Sequence, residues 1–142
     1  SSVIIDVFLL AKKYNLNLED NVELYQQSFE IQNSIDKIIS NSSGIIDINN
    51  DSSSLNIKLK YIGELDQEII FRKNLNKIFF NTLNLDGSSK PGGYEIGCYI
   101  DNINIKVSEC GQIVDISLKL SKNKSIYETK FSTYIKNLNG EV

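Results

Sequence analysis

The spacing of apolar residues changes once along this chain, at Gly44, and that change constrains the fold more than any other feature. Before it, Leu24, Ile31, Ile35, Ile38 and Ile39 recur at helical spacing, which places them on one face of a helix. After it, stretches such as Leu55-Asn56-Ile57-Lys58-Leu59-Lys60-Tyr61 alternate apolar and polar residues, as a strand with one buried face does. A helical segment followed by a run of strands predicts an α+β domain rather than βαβ units. The expected architecture is a long N-terminal helix packed on an antiparallel β-sheet of about five or six strands.

The helical pattern runs from Leu18 to about Ser42, with Ser28 on the buried stripe as a small contact. Leu18, Val22, Tyr25 and Phe29 form an adjacent stripe, so this part of the helix is apolar over a wide arc. A helix with one partner needs a single stripe of roughly 100°. The second stripe therefore predicts either a second partner or a helix sunk deep in its own core. Asp20 or Asn21 reads as the N-cap, and Asn41-Ser42-Ser43-Gly44 closes the helix with a left-handed glycine. Upstream, Val3-Ile4-Ile5-Asp6-Val7-Phe8-Leu9-Leu10 is apolar but shorter than the roughly 20 residues a membrane span requires. It reads as a buried helix start or as the stump of a longer apolar helix. The chain contains no Met, which reads as a processed or excised form.

Beyond Gly44 the alternation predicts strands at Leu55–Tyr61, Gln67–Lys73 and Asn102–Val107, with Leu75–Phe80 continuing the second or forming another. Ile113–Leu120 and Ile126–Ile135 follow, joined as a hairpin across Ser121-Lys122-Asn123-Lys124. At 142 residues the chain is one domain, residues 1–142, with a helical region 1–43 and a sheet region 44–142.

Charge and composition exclude several functions. The net charge is -3 and the lysines are spread along the chain, so no basic patch suits nucleic acid. There is no His, which removes the commonest general base and metal ligand. Neither Cys98 nor Cys110 can therefore be activated by a Cys–His pair. No catalytic residue, cofactor or metal site is expected. A disulfide between Cys98 and Cys110 requires the chain to reverse near Asp101-Asn102. An unbroken strand at roughly 3.3 Å per residue would hold the sulfurs tens of ångströms apart.

Three polar clusters have ordinary readings. Asp47-Ile48-Asn49-Asn50-Asp51-Ser52-Ser53 offers oxygens at alternate positions but lacks the glycine and terminal acid of a calcium loop, so it reads as a turn before the first strand. Asp86-Gly87-Ser88-Ser89-Lys90-Pro91-Gly92-Gly93 lacks phosphate-loop spacing and reads as a flexible surface loop. Glu64, Asp66 and Glu68 read as solvated charge at a strand edge.

The stretch from Gln26 to Ile39, Gln-Gln-Ser-Phe-Glu-Ile-Gln-Asn-Ser-Ile-Asp-Lys-Ile-Ile, resembles the exposed half of a pilin's long helix. Ser40 to Ile46 resembles the helix exit of type IV minor pilins and of the pseudopilins of type II secretion. Gln112–Leu118 and Phe131–Asn137 resemble the last two strands of that group, with Lys136-Asn137 where pseudopilin-J-like members commonly end in Arg-Asn. The family's cleavage motif, leading into an apolar helix, is not present. The resemblance implies a soluble portion of a filament subunit, anchored in the membrane before assembly by an apolar helix upstream of Val3. It implies that Leu18, Val22, Tyr25 and Phe29 touch other pilin subunits, while Ile31, Ile35, Ile38 and Ile39 hold the subunit's own sheet. It further implies an extracellular, non-enzymatic role in priming assembly or at the tip, with contact to a host surface. The alternative is a secreted or surface-anchored adhesion or ligand-binding domain unrelated to filaments.

Overall fold

The computed structural model describes the backbone of residues 2–138 and the side chains of residues 17–138. Helix α1 (Ser2–Ser40) is continuous over 39 residues. Asp20 and Asn21 are therefore interior to α1 and do not cap it. No Gly or Pro occurs between Ser2 and Asp20 to break the backbone there. Val3 to Leu10 belongs to α1, and its side chains lie outside the described residues. The helix stops close to where the sequence predicts. The backbone N–H and the hydroxyl of Ser42 both donate to the Ile39 carbonyl, at 3.1 and 2.7 Å. Gly44 then turns the chain at a φ of +140°, a conformation that side chains with a Cβ rarely adopt.

Eight strands follow: β1 (Gly44–Asn50), β2 (Ser54–Lys60), β3 (Gln67–Arg72), β4 (Lys77–Thr82), β5 (Tyr94–Gly97), β6 (Ile100–Val107), β7 (Ile113–Lys122) and β8 (Ser125–Tyr134). The α+β class with its antiparallel pairing is as the sequence predicts. The count of five or six strands in one sheet is corrected, because the strands form two antiparallel meanders, β1-β2-β3-β4-β5 and β6-β7-β8. The predicted hairpin is present, with Lys122 opposite Ser125 across the turn.

The break between the sheets lies at Tyr99, which takes a φ of +63°. That left-handed conformation is uncommon for a bulky side chain, and here it redirects the chain from β5 into β6. The Ser121 N–H donates to the Tyr99 carbonyl at 2.9 Å, and Asn76 bonds Ile100 through both its carbonyl and its amide, each at 2.9 Å. The strained turn is thus held from both sheets.

The inner faces of the two sheets and one face of α1 share a single core. Ile35 of the helix, Ile57, Phe71 and Ile78 of the first sheet, and Ile103 and Ile116 of the second line a common interior space. Close approach of β5 to the helix depends on Gly97: a Cβ there would lie 2.6 Å from Ile31 Cδ1. Cys98 and Cys110 are both free thiols. They flank opposite ends of the eight-residue strand β6, and the reversal a bridge would need is not made. Burial pushes the Cys98 thiol above its ordinary range, while the Ser108 hydroxyl, 3.3 Å away, holds Cys110 below it.

Candidate subunit interface

On α1, Leu24, Ser28, Ile31, Ile35, Ile38 and Ile39 are buried against the sheets. Leu18, Val22, Tyr25 and Phe29 are 51%, 49%, 56% and 57% exposed, so the second stripe is not sunk in the core. At about 100° per residue it runs roughly a third of a turn round from the buried one. The four residues span nearly three turns at steps of four, three and four. From this stripe the Tyr25 ring meets Tyr127 of β8 edge-on, with centroids 5.8 Å apart.

A polar clasp fixes this half of the helix. Lys122 donates to the Glu23 carboxylate, lies 3.7 Å from Asp20 Oδ1 and sits 5.2 Å over the Tyr99 ring. The Tyr99 hydroxyl donates to Glu23 at 3.0 Å, and the Asn123 amide donates to Asp20 at 2.9 Å. One turn further along, the Gln27 side chain accepts the Cys98 N–H at 2.7 Å. The helix is therefore pinned to both the β5–β6 junction and the β7–β8 turn.

Two polar clusters differ from their sequence readings. Glu68 is not solvated charge: it is 0% exposed, on the outer face of β3. Ser89 donates to one of its carboxylate oxygens, while the other, together with the Asn56 side-chain oxygen, is buried without a partner among the described residues. The loop from Asn84 to Gly93 that covers it is tied back to the sheet. The Lys90 N–H donates to the Thr82 carbonyl at 2.9 Å, and Lys58 donates to the Gly87 carbonyl at 3.1 Å. Sequence gives no signal for this burial, because it depends on a loop folding back over a face that reads as solvent-facing. The region 47–53 is strand and turn together. Asp51 Oδ1 accepts from the Ser53 N–H and hydroxyl at 2.8 Å and the Ser54 N–H at 2.9 Å, which holds that carboxyl below its ordinary range.

No known protein family, curated protein or solved structure matches the chain. Among the described residues no helix is long and apolar enough to cross a membrane, and no group of three or more Cys, Asp or Glu stands in metal-binding arrangement.

Proposed function

We propose that this chain is the surface-exposed part of a minor subunit of a type IV pilus or a related filament, with a structural and not a catalytic role. The observation that carries the reading is the stripe Leu18, Val22, Tyr25 and Phe29, apolar and solvent-facing on a helix whose other face already holds its own domain. A filament subunit needs a helix with two apolar faces, one for itself and one for its neighbours. Scattered exposed apolar residues need no explanation, but four aligned over nearly three turns form a seam. On this reading the α1 stripe packs against other pilin subunits. An apolar helix upstream of Val3 anchors the chain in the membrane before assembly, and the sheets face outward at the cell surface. The arrangement of one long helix against antiparallel strands supports a pilin-like fold, here with the strands divided between two sheets.

A photo-crosslinking residue placed at Val22 in the native assembly tests the reading. The expected product joins this chain to the helix of another subunit. Crosslinks confined to solvent or to the chain's own β8 would overturn it.

A further inference from the structure

The outer face of the first sheet carries a second feature, distinct from the α1 stripe. A hollow of about 460 Å³ lies between β3, β4 and the returning loop from Ser89 to Gly93. Its lining includes Ile70, Phe79 and Asn81 from the strands, with Arg72 from β3 and Lys90 from the loop. Strand register places Ile70 directly beside Phe79, which gives the hollow an apolar and aromatic floor.

The hollow is built, not incidental. Gly93 lies so close to the strand that a Cβ would stand 2.9 Å from the Phe80 carbonyl oxygen and 3.1 Å from Asn81 Oδ1. The anchors at Thr82, Glu68 and Lys58 fix the loop at that distance. Its charges are equally particular. Arg72 is the sole arginine among the 15 basic residues. The neighbouring lysines are engaged: Lys77 pairs with Glu95 at 2.7 Å, and Lys73 donates to Asn50 at 2.6 Å. The side chains of Arg72 and Lys90 make no hydrogen bond or ion pair with the described residues. Arg72 and Lys90 are thus the two cations of the hollow without a side-chain partner among the described residues, while the acids on the same face are engaged: Glu95, opposite Phe79, by Lys77, and one oxygen of Glu68 by Ser89.

We infer that this hollow binds an acidic saccharide. The guanidinium fork of Arg72 suits a carboxylate or sulfate held bidentately, and Lys90 adds a second charge from the loop. Half-buried Phe79, backed by buried Ile70, offers a surface for the apolar face of a sugar ring, and the Asn81 amide offers hydrogen bonds to hydroxyls. A bare inorganic anion would use the cations but not the floor. The site lies on the sheet, away from the α1 stripe, so it stands or falls independently of the filament reading.

The test is an NMR titration of the 142-residue chain with glucuronic acid, a sulfated monosaccharide, neutral glucose and inorganic phosphate in parallel. The expected result is saturable shifts at Phe79, Asn81, Gly92 and Gly93 with one or both acidic sugars, and none with glucose. The two acidic sugars together distinguish carboxylate from sulfate. Arg72→Ala should weaken binding about tenfold or more, and Arg72→Lys by less, with the rest of the spectrum unchanged. Lys90→Ala supplies a second variant away from strand β3. Phosphate binding as tightly as either sugar, shifts mapping elsewhere, or no saturable shift at millimolar sugar would each overturn the inference.

Discussion

Lys122, at the end of β7, closes on Glu23 of α1 across a sequence separation of 99 residues, and the pair ties the helix to the second sheet. The Glu23 carboxyl is held below its ordinary range, first by the Lys122 hydrogen bond and then by that of Tyr99. Lys122 and Tyr99 are both raised, each chiefly by its bond to Glu23. A depressed carboxyl contributes stability that is complete above its unfolded pKa and is lost as pH falls through the folded one. A raised base or phenol contributes stability that is complete below its unfolded pKa and is lost as pH rises through the folded one. The clasp should therefore act fully between about pH 5 and 9 and fail at both ends. Urea unfolding of wild type and Lys122→Ala from about pH 2 to about pH 11 checks this: the stability difference should be level from about pH 5 to 9 and shrink in stronger acid and alkali. A difference that does not vary with pH contradicts it.

Gly97→Ala forces a methyl into Ile31 and should destabilise the domain by about 1–3 kcal/mol, as overpacking does. Ile31→Ala alone should cost about 2–5 kcal/mol through the cavity it leaves. Because the two changes relieve each other, the double variant should be more stable than their sum predicts, by about 0.5–3 kcal/mol. Denaturant midpoints for the four proteins measure the coupling; simple additivity would place Gly97 out of contact with Ile31.

Glu68→Gln keeps an acceptor for Ser89 and replaces the unpartnered carboxylate oxygen with a donor. Asn56 stands opposite Ile70, two residues from Glu68 on the same face, so its unpartnered oxygen is a diagonal neighbour of the new amide. The variant should be more stable by about 1 kcal/mol, whereas Glu68→Ala should be less stable. Thermal or urea unfolding distinguishes these outcomes. A loss of stability in Glu68→Gln would mean that the carboxylate charge is itself required.

Val22→Asp and Phe29→Asp place a charge on the exposed stripe without touching the core. The isolated domain should remain within about 0.5 kcal/mol of wild type, while incorporation into filaments is lost. Circular dichroism with urea unfolding measures the first, and immunodetection in sheared filaments the second. Equal loss of folding would make these residues core.

The sequence showed the elements that have one wet and one dry face. The buried α1 stripe, β2 and β7 follow their periodicities closely, since each presents alternate residues to the core. Strand β1 escaped because it is an edge strand with nearly every residue exposed, so no alternation marks it. Strand β5 is four residues ending in Gly97, too short to show a period. The division into two sheets rests on Tyr99, and a tyrosine carries none of the composition by which turns are recognised. Glu68 was misread for a related reason: its burial comes from a loop roughly twenty residues further along, and a local pattern holds no record of that. In the candidate interface, the stripe itself was legible from spacing, and its exposure removes the reading that sinks it in the core.

The most direct test of the filament account is N-terminal sequencing of the native protein recovered from cells and from sheared surface filaments. The account predicts that the chain is present in the filaments. It also predicts a mature N-terminus roughly 20 or more residues upstream of Val3, opening an apolar helix long enough to span a membrane. A native chain that begins near Ser1 and is absent from filaments would contradict it.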